Sequence, residues 1–231
     1  MRTISLCLTN YNRLELLLKS FADVYDDPRI GEIVISDDAS DIEIYNELKR
    51  ITDTMPKVKL YRNGNNMDCF INKAIAVTLA RNEYVILLDS DNHIDKSYID
   101  KIYEHEWQEN VALMPDWAMP NFDYREYSGV TIIKQNVADY IDRPMLETAL
   151  NCANYFVNRE FYLNAFNDSV DPVTSDSLWQ NYNWLLNGGK IHIVDGLRYQ
   201  HLVHDGSHYK INNSRTGNFK DILIEKLRLL S

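Results

Sequence analysis

Short apolar runs and amphipathic runs alternate over the first hundred residues. "TISLCLT" (Thr3 to Thr9), "GEIVIS" (Gly31 to Ser36), "KVKLY" (Lys57 to Tyr61) and "EYVILL" (Glu83 to Leu88) read as strands. Between them, "RLELLLKSFADVY" puts Leu14, Leu17, Leu18 and Phe21 on one helical face, and "IEIYNELKRI" and "INKAIAVTLA" (Ile71 to Ala80) read as further helices. Such alternation predicts right-handed crossovers and an α/β fold with a mostly parallel, Rossmann-like central sheet covered by helices. After Trp107 the pattern weakens. "VALMPDWAMP" and "GVTIIKQ" look like strands, and "CANYFVNREFYLNAF" reads as a strand leading into a helix. "SDSLWQNYNWLLNGG" is a helix stopped by Gly188 and Gly189, "KIHIVDG" a strand and "RYQHLVHDGSHYK" a polar loop. "FKDILIEKLRLLS" is an amphipathic tail, expected as a helix docked on the domain or leading into further chain rather than one lying on a membrane, although peripheral membrane contact stays open.

In open α/β sheets, ligands bind beyond the carboxyl ends of the strands. Those ends carry "TNYNR", "SDDASD", "YRNGNN" and "DSDN", so polar side chains collect along one edge. Helix capping accounts for Ser40, Asp41 and Asp95, because one short acceptor satisfies an N-terminal N–H. It does not account for Asp89 and Asp91, two acids delivered by the buried strand "YVILLD". Such a pair is costly unless a cation or hydrogen-bond donors offset it, and carboxylate oxygens select a hard cation such as Mg²⁺ or Mn²⁺. If the stretch stays extended, the period of two sends Asp89 and Asp91 to one side, with Ser90 pointing away or toward a ribose.

The 231 residues are 45% hydrophobic and 25% charged, enough for one α/β domain. No linker or repeat marks a domain boundary. The net charge of -10 argues against nucleic acid or an anionic membrane face as the main partner. Cys7, Cys69 and Cys152 are too scattered for a disulfide framework and suggest reduced thiols. With no signal-type start and no apolar run long enough to span a bilayer, a cytoplasmic protein is expected, soluble or peripherally bound to membrane.

"ISLCLTNYNR", "EIVISDDASD" and "ARNEYVILLDSDN", in that order and at these separations, resemble the nucleotide-sugar half of the inverting GT-A glycosyltransferases of family 2. The resemblance implies a GT-A fold with a smaller, mixed acceptor-side sheet. It divides the chain into a nucleotide-sugar half (1–107), an acceptor and catalytic half (108–218) and a C-terminal helix (219–231). The implied activity is metal-dependent, inverting transfer from a nucleoside-diphosphate sugar, a UDP-sugar in the first place, to a glycan, lipid-linked or protein acceptor. Thr9, Tyr11 and Arg13 would line the base and ribose, Asp37 or Asp38 would accept from the base, and Asp89 and Asp91 would be the Asp-x-Asp pair on the diphosphate's cation. Two positions depart from the pattern. Ala39 stands where the family usually has Gly, tolerable if its φ is negative. Lys73 stands where an Arg usually faces phosphates or base, and its alternative is the solvated face of its helix.

The resemblance further implies an Asp or Glu base early in a late helix. Asp176 fits, with Asp171 in reserve, although an acid there also serves as a helix cap. A His beyond that helix would complete the metal shell, either His204 or His201. Imidazole suits Mn²⁺ better than Mg²⁺. The loop from Asp205 could close over the diphosphate, with His208 or Lys210 on phosphate. Among the tryptophans, Trp179 and Trp184 read as core, while Trp117 or Asp116 could face the sugars. Two rival activities remain at this level. A sugar-nucleotide nucleotidyltransferase would want a Gly-rich loop after the first strand, and "TNYNRLELL" has no Gly. A non-catalytic nucleotide- or sugar-binding module would need no base.

Overall fold

The computed structural model describes residues 2–152 and 154–230 and, within these, every side chain but those of His208 and Asn213. In chain order its strands are β1 (Ile4–Asn10), β2 (Ile30–Asp37), β3 (Val58–Arg62), β4 (Tyr84–Asp89), β5 (Val111–Met119), β6 (Phe122–Asp123), β7 (Thr131–Ile132), β8 (Phe156–Asn158) and β9 (Lys190–Gln200). The helices are α1 (Leu14–Ser20), α2 (Ile42–Thr52), α3 (Asp68–Leu79), α4 (Lys96–Tyr103), α5 (Val137–Tyr140), α6 (Leu146–Leu150), α7 (Arg159–Ala165), α8 (Asp176–Leu186), α9 (His208–Thr216) and α10 (Phe219–Arg228).

Among the described residues one sheet runs through the molecule in the order β3-β2-β1-β4-β8-β5-β9-β7, with β6 paired to β5. β3, β2, β1 and β4 are mutually parallel, as the alternating pattern predicts, while β8 enters antiparallel between β4 and β5. Leu6, Leu8, Ile33, Ile35, Ile86 and Leu88 are buried along these strands, which explains their continuous apolar runs. The chain builds outward from β1 to β3 and then crosses back to lay β4 on β1's other side. That reversal opens a crevice beyond the paired ends Thr9 and Asp89.

Three segments differ from the sequence-based expectation. In "GVTIIKQ" only Thr131 and Ile132 pair in the sheet, because Asn136 closes a turn by accepting from Ile133 N–H and donating to Thr131 O. β9 continues through Arg198, Tyr199 and Gln200, which read as loop, since β5 offers ladder partners as far as Met119. α9 carries no apolar stripe, with Tyr209 and Ile211 exposed, so periodicity gives no sign of it. α10 docks through buried Leu223 and Leu227. Among the described residues no helix is long and apolar enough to cross a membrane.

Candidate active site

The crevice is a cleft of about 770 Å³. The first hundred residues contribute Thr9, Tyr11, Arg13, Asp38, Lys73, Asp89, Ser90 and Asp91 to its lining, and the second half Thr148, Asn151, Asp176, His201 and Arg215. Most of the residues singled out in the sequence therefore meet in one place. Asp37 does not line it. It is fully buried below the cleft, where it accepts from Asn10 Nδ2 (2.9 Å) and Ser40 Oγ (2.5 Å) and pairs with Arg62 (3.2 Å). Its neighbour Asp38 lines the cleft and accepts from Met67 N (2.8 Å) and Asn63 Nδ2 (2.9 Å) through one oxygen. Burial raises the Asp38 carboxyl pKa against those two donors.

The paired acids do not share a side, contrary to the extended reading. The chain turns at Ser90 and Asp91, with Asn92 N–H bonded to Asp89 O at 3.0 Å, so the period of two ends with the strand. Asp89 points inward to Lys73 Nζ at 3.3 Å and is held by Asn154 Nδ2 at 3.2 Å. Burial alone would raise the Asp89 carboxyl. Lys73, by charge and hydrogen bond, and Arg13 outweigh it, and the net direction is down. Asp91 points to the mouth, where its Oδ2 accepts from Arg13 at 2.8 Å and lies 3.1 Å from His204 Nε2. Gly206 N–H donates to His204 Nδ1 at 3.1 Å, so Nε2 carries the ring proton and donates to Asp91.

Arg13, expected at the base or ribose, lines the cleft and ties Asp91 to the loop after β9 by donating to Gly206 O at 2.6 Å. Lys73 is not on a solvated helix face. It is buried and reaches Asp176 Oδ2 at 2.6 Å, and despite the cost of burial Asp176 and Asp89 raise its pKa, keeping it charged. Asp176 opens α8 and is buried on the cleft wall. Asp171 stands away from the cleft, accepting from Val173 N at 3.0 Å.

His201 lines the cleft but turns its Nδ1 to Asn121 (3.0 Å) and packs on Phe122. Burial lowers its pKa against the pull of Asp89 and Asp91. Lys210 lines the cleft mouth, and the His208 side chain lies outside the described residues. Trp117 is covered by Arg125, 4.1 Å from its ring, and Asp116 is buried under Ser128 and Gly196, so neither faces the cleft. Trp179 and Trp184 are core, as expected. Asn154 escapes a sequence reading, since no local pattern marks a lone Asn before a short antiparallel strand as the support of a distant carboxylate.

Among the described residues no three His, Cys, Asp or Glu side chains form a ready metal cage. Asp91 and His204 nevertheless suit one edge of a cation's shell. Ligand atoms at ~2.1–2.2 Å from an octahedral ion stand ~3 Å apart, close to the 3.1 Å between Oδ2 and Nε2. Asp89 and His201 do not join that edge.

No curated protein sequence matches the chain. Among solved structures it is similar to the S. aureus TarS fragment 1–349, at 16% identity over 97% of this chain and 70% of that one, with a TM-score of 0.66. The same fragment in complex with UDP-GlcNAc matches at 17% identity over 89% of this chain and 60% of that one (TM-score 0.67). A longer TarS chain matches over 99% of this chain but 44% of its own length, at 14% identity and a TM-score of 0.60. These likenesses carry the fold, the GT-A arrangement that the strand-end motifs implied. The model of glycosyl transferase family 2 matches residues 5–164, more than half of the chain, and the protein belongs to that family of glycosyltransferases.

Proposed function

We propose that the protein transfers a sugar from a UDP-sugar to an acceptor hydroxyl with inversion, assisted by Mn²⁺ or Mg²⁺. The observation that carries this is that Asp91, which contacts His204, and Asp176 line one cleft large enough for a nucleotide sugar. The UDP-GlcNAc complex of the TarS fragment supports a UDP-sugar as donor. Asp38, in the cleft lining, would accept from the base, and Thr9, Tyr11 and Ser90, which line the same cleft, would flank base and ribose.

A cation held by Asp91 and His204 would replace the ring proton on Nε2 and supply the Lewis acidity that makes a diphosphate a competent leaving group. Mn²⁺ is favoured over Mg²⁺ by the imidazole. Asp176 takes the proton of the acceptor hydroxyl, and a single in-line displacement driven by one base inverts the anomeric centre.

A donor panel with Mn²⁺, following nucleoside diphosphate release, identifies the substrate. Titration calorimetry of UDP with and without Mn²⁺ reports the metal. Asp91→Asn and His204→Ala should abolish the Mn²⁺-dependent part of UDP affinity, and unchanged affinity in both would overturn the assignment. Asp176→Asn should keep UDP affinity and lose roughly 10²- to 10⁴-fold in turnover. NMR of the product must show an inverted anomer, and a retained one ends the inverting reading.

A further inference from the structure

Lys73 stands between two carboxylates that belong to different halves of the site. Its Nζ lies 2.6 Å from Asp176 Oδ2 and 3.3 Å from Asp89 Oδ1, with 9% of the side chain exposed. Asp89 is itself fixed from two directions. Its backbone N–H donates to Asn154 Oδ1 at 2.8 Å, and Asn154 Nδ2 donates back to Oδ2 at 3.2 Å. A continuous line of hydrogen bonds and ion pairs thus runs from Asn154 through Asp89 and Lys73 to the first residue of α8.

The far end of that line needs support. Asp176 follows a turn in which Val173 adopts φ +50, a value β-branched residues avoid, and in which the buried Ser175 Oγ has no partner. Among the described residues Lys73 is the hydrogen-bond donor to the Asp176 carboxylate, and it engages Oδ2, leaving Oδ1 to take a proton. With Lys73 removed, two carboxylates would face the same small space and repel.

We propose that Lys73 is a positioning residue that orients Asp176 by tethering it to Asp89, rather than a contact to the donor's phosphates. This rests on Asp176 being the base. The acidic pair then divides by role, since Asp91 works with His204 at the mouth while Asp89 works through Lys73 on Asp176.

Three variants test it: Lys73→Met, Lys73→Arg and Asp176→Asn. Each is measured for UDP affinity by calorimetry in Mn²⁺ and for kcat of UDP release from the donor that turns over fastest in the panel. Because a misplacement of about 1 Å can cost on the order of 10²-fold, Lys73→Met should lose roughly 10- to 100-fold in kcat with UDP affinity within about threefold of the parent. Lys73→Arg, which can still span both carboxylates, should recover part of that loss. Parental kcat in Lys73→Met overturns the proposal, and so does a loss of UDP affinity as large as the loss of activity, which marks a phosphate contact. If Lys73→Met lacks a cooperative thermal transition, Lys73→Gln is read by the same two criteria. Parental turnover in Asp176→Asn overturns the base assignment itself, whereas an impaired Asp176→Asn beside an intact Lys73→Met overturns the tether alone.

Discussion

Ala39 holds φ at +59°, in the left-handed region, and not at the negative value that would let an alanine replace glycine without strain. The turn after β2 forces it there: Ser40 N–H and Oγ both bond back to Asp37, so the chain must reverse within two residues. An L-residue in that region is strained by ~1–2 kcal/mol, and glycine's freer unfolded chain offsets part of the relief. Ala39→Gly is therefore expected to stabilise the protein by about 0.5–1 kcal/mol, read as a higher urea midpoint at unchanged slope. The two acids before it separate by burial. Asp37→Ala removes the acceptor shared by Asn10, Ser40 and Arg62 and should cost about 2–4 kcal/mol. Asp38→Asn keeps an oxygen for Met67 N–H and should leave the melting temperature nearly unchanged while weakening UDP binding. If Asp37→Ala instead melts like the parent, its buried network contributes nothing.

From Val203 through α9, polar links among the described residues tie the segment to the rest of the cleft: Arg13 to Gly206 O, His204 to Asp91, Thr174 to Thr216, and Arg215 near Asp68 and Asp171 at 3.6 Å. α9 lacks an apolar stripe, so these polar links, rather than burial, hold it in place. Arg13→Ala removes the link to Gly206 and should raise amide hydrogen exchange across residues 204–216, leaving β1 to β4 protected. Uniform exchange would show that α9 is held by other means. By contrast, α4 begins with Asp95 accepting from Ser97 N–H at 2.8 Å, an ordinary cap. Asp95→Ala should cost ~1 kcal/mol in denaturant unfolding without altering UDP affinity.

At the scale of the whole molecule, one ion pair outside the cleft sets an acid response of the fold. Arg29 forms a bidentate contact with Asp27 and a further bond to Asp100, and the hydrogen bond from Arg29 depresses the Asp27 carboxyl to about 2 despite its burial. A carboxylate whose folded pKa lies below its unfolded value of ~3.9 stabilises the fold above that value and loses the contribution as pH falls toward 2. The contribution is about 2 kcal/mol. Arg29→Met should accordingly be less stable than the parent at pH 7, and the gap should close between pH 4 and pH 2. A gap that persists at pH 2 assigns it to the lost cation–π contact of the Arg29 guanidinium with the Tyr103 ring.

The amino-acid sequence determined that β1 to β4 form a parallel, covered platform, because each buried strand is a continuous apolar run set between helical runs, whereas their order came from the structure. It also determined that the site lies beyond those strands, since polar side chains gather at their carboxyl ends. What it could not carry were directions and partners. Whether Asp89 and Asp91 face together depends on where β4 ends, and that is fixed by a turn at Ser90 and by Asn154, which is 65 residues distant in sequence. Whether Lys73 is solvated depends on α8 lying across α3, a contact between residues 103 apart. Asp37 and Asp38 are adjacent letters with opposite fates because successive side chains leave the end of β2 on different faces, one into a buried network and the other into the cleft. Local pattern records a preference for burial or exposure at each position; the pairing of charges across the cleft arises only when distant elements pack, and there the chemistry of the site is set.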